Sequence, residues 1–177
     1  MKKVLVSAGH CTIKNSNYDS GAVGNGFLEA NEALRLRDAT AKNLREKGVT
    51  VLEDGADGIS EPLTKAIALA RQADVAVEFH FNAGPSAATG IEILAKLNKK
   101  SLSQKLGLAI ATATGLKLRG EVGWKRDDSG PHKRLGFCES GGLIIEVCFI
   151  SNAGDMKAYQ KNFDAIARNV ADVLATA

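Results

Sequence analysis

Short apolar runs alternate with helical stretches from one end of this chain to the other, and that alternation constrains the fold more than any other feature. Residues 3–8 form one such run, and residues 143–150, Leu-Ile-Ile-Glu-Val-Cys-Phe-Ile, form the most strand-like stretch of all. Runs that are apolar at consecutive positions belong to strands covered on both faces. Further strands are expected at residues 49–52, 74–81 and 90–95. Between them, residues 29–47 read as a helix with Leu34, Ala41 and Leu44 on one face, ended by Gly48. Ser60-Glu61-Pro62 opens a second helix, with Leu63, Ile67 and Ala70 expected to face inward. Ser101-Leu102-Ser103-Gln104 matches a capping box ahead of Leu106, Ala109, Ile110 and Ala113. Asn152 with Asp155 starts a last helix, striped by Met156, Tyr159, Phe163, Ile166, Val170 and Leu174. The expected architecture is a single α/β domain over residues 1–177: a mostly parallel twisted sheet of about six strands with helices on both faces.

Composition narrows the class further. With 177 residues, 45% hydrophobic and 24% charged, the chain holds enough apolar material for one core without disulfide staples. No window approaches the roughly 18 apolar residues of a membrane span, so no membrane insertion is expected. Ordinary hydrophobicity with a net charge of only +3 excludes disorder, and 5% aromatic residues with so slight a basic excess argue against a nucleic-acid binder. Met1-Lys2-Lys3 precedes too short an apolar run for a secretory signal, so a cytoplasmic location at synthesis is expected. Cys11, Cys138 and Cys148 cannot all pair with one another, which fits a reducing compartment.

Residues 11–28 and 115–136 have no regular pattern, and long loops inside a compact domain are usually functional. The second carries Lys117, Arg119, Lys125, Arg126, Lys133 and Arg134 against Glu121, Asp127 and Asp128, the whole formal excess of the chain. It is either a solvated loop or a groove wall facing an anionic substrate. The turn Gly21-Ala22-Val23-Gly24-Asn25-Gly26 has its glycines in the wrong order for a dinucleotide loop, and no ribose-binding acid follows.

Ligands of open α/β sheets bind beyond the carboxyl ends of the strands, where three polar residues stand out. His10 ends the first strand, His80 ends Val75-Ala76-Val77-Glu78-Phe79-His80, and Glu146 interrupts the most apolar strand. Glu29 joins them at the mouth of the first helix. Each has a bland alternative: a histidine satisfied in the core, or a glutamate favouring its helix dipole. Glu146 is the hardest to dismiss, because a carboxylate among Ile144, Ile145, Val147 and Phe149 is costly to bury without a partner, a metal or a catalytic task. Two histidines and one carboxylate with an open position suit a catalytic zinc, and a further carboxylate nearby can take a proton from water. Cys148, two residues after Glu146, is expected to share its face; it either lines the site or, like Cys11 and Cys138, is small buried filler. Glu32 is a fallback ligand.

Along essentially its whole length the sequence resembles the zinc-dependent N-acetylmuramoyl-L-alanine amidases of the type-3 class. The resemblance is carried by Gly9-His10, by Gly21-Ala22-Val23-Gly24 followed by Glu29, by Glu78-Phe79-His80-Phe81-Asn82-Ala83, and by Glu146-Val147-Cys148-Phe149-Ile150-Ser151-Asn152. Departures are Ser7-Ala8 where the family often has Asp-Pro, Glu78 in place of serine, and Cys148 in place of glycine. The resemblance implies zinc bound by His10, Glu29 and His80, with Glu146 as catalytic acid/base. It further implies hydrolysis of the amide between N-acetylmuramic acid and L-alanine of the peptidoglycan stem peptide. Asn82, Lys125, Arg126, His132, Lys133 and Arg134 are expected to contact the carboxylate-bearing substrate, although His132 also reads as a solvated loop histidine. With no separate wall-binding domain expected, the chain looks like a phage endolysin, acting as a monomer with peptidoglycan as partner. The alternatives are another zinc peptidase cutting within the stem peptide, or a non-catalytic peptidoglycan-binding module.

Overall fold

A computed structural model describes residues 2–13, 18–129 and 135–177. Its centre is a six-stranded sheet. Strand β1 (Lys3–Ala8) lies between β4 (Thr50–Glu53) and β5 (Val75–Asn82), and β8 (Leu143–Phe149) follows β5. These four strands run parallel. Beyond β8 the direction reverses: β6 (Glu92–Ala95) is antiparallel to β8, and the edge strand β7 (Trp124–Arg126) is parallel to β6. The mostly parallel sheet covered on both faces is therefore present, with a reversed pair at one edge.

One face of the sheet carries the main core, where Val4, Val6, Val77, Phe79, Ile93, Ile145 and Val147 are buried beneath α1 (Glu29–Glu46), α3 (Lys100–Thr114) and the α5–α6 pair (Ala153–Lys161 and Phe163–Thr176). The opposite face is less completely covered. Leu5, Ala76 and Ile144 pack against Ala66 and Ala70 of α2 (Leu63–Ala70) and Phe137 and Cys138 of α4 (Gly136–Glu139). Farther along the same strands that face turns polar, presenting Ser7, Glu78, His80, Asn82, Glu92 and Glu146. The cleft lies where the apolar cover stops.

Local chemistry accounts for the element ends. At Gly48 (φ +74°), α1 terminates: the Gly48 N–H donates to Arg45 O at 2.9 Å and the Val49 N–H to Leu44 O at 3.1 Å. Asn152 caps α5, its side-chain oxygen accepting the Asp155 N–H at 3.0 Å. Four local expectations are corrected. α3 starts at Lys100 after a 3-10 turn (Leu97–Lys99), so Ser101 caps nothing, while the Ser103 hydroxyl donates to Lys99 O. The last helix is broken at Asn162 into α5 and α6. Leu63 is 50% exposed, because Ala66 and Ala70 occupy the inward face of α2. The loop 11–28 contains a small hairpin, β2 (Val23–Gly24) and β3 (Phe27–Leu28), turned by Asn25 and Gly26, both at positive φ. Among the described residues no helix is long and apolar enough to cross a membrane.

Candidate metal centre

His10, Glu29 and His80 converge from three different elements. β1 delivers the chain to His10, whose φ of +70° turns the backbone out of the strand. An L residue pays strain for that conformation, and such residues concentrate at functional sites. Glu29 is the first residue of α1, directly after the β2–β3 hairpin. His80 projects from β5 on the open face. The Nε2 of His10 lies 3.0 Å from Oε2 of Glu29, and the Nδ1 of His80 lies 2.9 Å from Oε1. Backbone donors fix the carboxylate: the Ala22 N–H donates to Oε2 at 2.8 Å and the Phe81 N–H to Oε1 at 3.0 Å.

The surroundings are shaped for close approach. A Cβ on Gly9 would stand 2.3 Å from the His80 ring, and one on Gly21 (φ +63°) would stand 2.5 Å from the His10 ring and 2.7 Å from Glu29. The outward nitrogen of each ring also has a carboxylate. His10 Nδ1 lies 2.8 Å from Asp19 and His80 Nε2 lies 3.1 Å from Glu78, which is itself held by the Ser7 hydroxyl at 3.0 Å. Two oriented imidazoles and one carboxylate with ligand atoms within 4.8 Å of one another fit a divalent metal, and outer carboxylates on both rings complete the arrangement such ligands require.

Charge follows the geometry. Burial opposes ionisation of Glu29, yet the hydrogen bonds and charges of both histidines hold it well below the usual carboxylate range. Burial likewise opposes protonation of His10 and His80, but their carboxylate partners outweigh it and raise both. Glu146 sits opposite His80 in the β5–β8 register and is pushed up to about 7 by burial. Its Oε2 is buried without a hydrogen-bond partner among the described residues.

A profile of the N-acetylmuramoyl-L-alanine amidase family matches residues 4–176. The chain belongs to that family. A structure described as a candidate N-acetylmuramoyl-L-alanine amidase of Neisseria meningitidis superposes with a TM-score of 0.88 at 40% identity, covering 99% of this chain and 94% of that one. The catalytic domain of CwlV, an N-acetylmuramoyl-L-alanine amidase from Bacillus (Paenibacillus) polymyxa var. colistinus, shares the fold at 24% identity and a TM-score of 0.82, covering 99% and 97%. Among curated proteins, YqiI of Bacillus subtilis, itself uncharacterized, is 27% identical across 96% of this chain and 83% of its own length.

Of the remaining site residues anticipated from sequence, the amidase places Asn82 on the face of β5 that carries His80, donating to Glu92 at 2.9 Å. Lys125 reaches the same Glu92 at 2.7 Å. Arg126, next along β7, leaves the sheet on the other side and pairs with Asp128. His132, Lys133 and Arg134 lie outside the described residues. Glu32 is turned away, engaged with Arg35 and Gln160. Cys148 is the buried filler of its two readings, and only its expected face is corrected: the β5–β8 register shifts between His80 and Asn82, and this bulge sends Cys148 into the main core. There its thiol meets Met156 at 3.8 Å. Asp19, Glu78 and Glu92 do not stand out as site residues in the sequence, and Arg119 is legible there only as one of the cations of loop 115–136. Period-two alternation places Glu78 on the His80 face, whereas nothing local marks Asp19.

Proposed function

We propose that this amidase cleaves the amide between the lactyl group of N-acetylmuramic acid and L-alanine of the stem peptide, with zinc held by His10, Glu29 and His80. Zinc bound there would supply a Lewis acid to polarise the amide carbonyl and activate water. The observation that carries the proposal is the unpartnered Glu146 Oε2 beside the His10–Glu29–His80 cluster. A carboxyl pushed up to about 7 exchanges protons readily at neutral pH. Glu146 takes a proton from the attacking water and hands one to the departing amine, so its charge is the same before and after a turnover. Glu29 and the carboxylates behind both rings keep the imidazoles oriented while this happens.

Digestion of purified peptidoglycan, followed by mass spectrometry, tests the reading. Free lactyl carboxyls with intact stem peptides are expected, lost on chelation and restored by zinc. Cuts within the stem peptide would instead identify a peptidase, and binding without products a wall-binding module. Glu146→Gln should keep fold and zinc while turnover falls by about 10²-fold or more, the usual size of a general acid–base contribution. Full activity of that variant would remove Glu146 from the chemistry.

The proposed setting is an endolysin made in the cytoplasm and released onto the wall. Cells expressing the chain should lyse only after their membrane is permeabilised; spontaneous lysis with the protein outside the cell would contradict this.

A further inference from the structure

Strand β8 separates two neighbours of Glu146. His80 is opposite it on β5, and Glu92 is opposite it on β6. Glu92 is only 7% exposed and gathers three side chains: Asn82 on Oε1, and the Arg119 Nε at 2.6 Å and Lys125 Nζ at 2.7 Å on Oε2. Burial opposes its charge, but the two cations hold its carboxyl below the usual range. One carboxylate against two cations leaves a positive charge at the cleft edge. The Arg119 guanidinium also donates Nη1 to Thr89 O at 3.3 Å and lies 4.9 Å over the Phe149 ring. Its Nη2 and the other ammonium hydrogens of Lys125 have no partner among the described residues. Both side chains remain about one-third exposed, at 32% and 31%. These are surface cations fixed in place by a buried anchor, so little side-chain entropy remains to be lost on binding an anion.

The opposite flank of the cleft differs in kind. A cavity of about 390 Å³ at His10 and His80 is otherwise walled mainly by apolar side chains, among them Pro62, Leu63, Leu135, Phe137 and Ile144; its acids, Asp19 and Glu78, stand behind the two rings, and its described lining holds no lysine or arginine.

Reaction chemistry decides which half of a substrate meets which flank. A general acid must reach the leaving nitrogen, so the amine half departs on the side of Glu146, across β8 toward β6 and β7. The acyl half then lies toward β5, β1 and the apolar wall. We propose that Arg119 and Lys125, tied down by Glu92, form a carboxylate-binding subsite for the stem peptide. The substrate thus runs with its peptide over the β6–β7 edge and its lactyl and sugar portion toward α2 and α4. This rests on the amidase reading above and adds the polarity of the cleft to it.

Two soluble muropeptides test it, one with free stem carboxylates and one with those carboxylates amidated, each against the wild type, Lys125→Met and Lys125→Arg. For the wild type, amidation should lower kcat/KM by about 10- to 100-fold, the scale of a charged hydrogen bond, chiefly through KM. Lys125→Met should cut the free-acid substrate about as poorly as the amidated one and barely distinguish the two, while Lys125→Arg restores the preference. Independent, additive effects of amidation and Lys125→Met would overturn the subsite while leaving the amidase reading intact. A wild type that cleaves neither muropeptide at the lactyl amide would overturn both.

Discussion

Both ring nitrogens of His80 are committed, Nδ1 toward Glu29 and Nε2 toward Glu78. A ligand histidine that shows Nδ1 to a metal must keep its proton on Nε2, and an acceptor there fixes tautomer and ring angle together. Glu78, only 3% exposed and backed by Ser7, is therefore a positioning residue. Glu78→Gln preserves the shape but removes the charge, and zinc affinity measured by chelator competition should weaken by about 10- to 100-fold. The visible absorption of the cobalt-substituted protein should shift with it. An unchanged affinity and spectrum would reduce Glu78 to packing.

Elements meet the site through one buried cation. Arg37 of α1 is fully buried and donates to Asp54 Oδ1 at 3.0 Å, Ile59 O at 2.8 Å and Ala56 O at 2.9 Å. Asp54 in turn accepts the Ala8 N–H at 3.2 Å, at the end of the strand that leads into Gly9-His10. α1, the turn after β4 and the exit of β1 are thereby held in one network. Arg37→Met strands a buried carboxylate and two carbonyls, and a loss of about 3–5 kcal/mol is expected. In a chain of this size that lowers the melting temperature by roughly 10 °C. Adding Asp54→Leu should recover part of the loss, because it removes the uncompensated charge. The same element scale explains Gly9: a methyl there meets the His80 ring at 2.3 Å, so Gly9→Ala should disturb zinc binding well before it unfolds the sheet.

For the molecule as a whole, Glu146 is a stability cost that depends on pH. Its carboxyl is raised from an ordinary 4.5 to about 7 in the folded chain, so the folded state holds the proton more tightly than the unfolded one. The contribution of Glu146 to stability should accordingly fall as pH rises from about 4.5 toward about 7, then level off. One proton held by the folded chain and not by the unfolded one makes that fall about 1.4 kcal/mol per pH unit at its steepest. In metal-free protein, Glu146→Gln should therefore melt at or near the wild-type temperature at pH 4.5 and several degrees above it at pH 8. A gap that is constant across that range would mean the carboxyl is not desolvated. The cost is tolerated because the rest of the sheet is ordinary core: the polar row occupies only the uncovered end of one face.

What was legible in the sequence was whatever the chain encodes locally. Consecutive apolar runs specify strands buried on both sides, a glycine after a helical stripe specifies its end, and an acid inside Ile144-Ile145-Val147 advertises a cost that something must offset. Asn25-Gly26, at positive φ in both positions, is a hairpin signal of the same local kind. The rest required the third dimension. A single bulge in β8 reverses the side on which Cys148 lies, and strand alternation has no means of announcing where its count slips. β7 is three residues of Trp-Lys-Arg, too short to show a period, and becomes a strand only because β6 offers it an edge. Asp19 behind His10 and Arg119 on Glu92 are pairings between residues whose partners are chosen by how segments pack, not by spacing along the chain. Local free energies determine the elements; which charges end up sharing one cleft is decided only when those elements close around a common core.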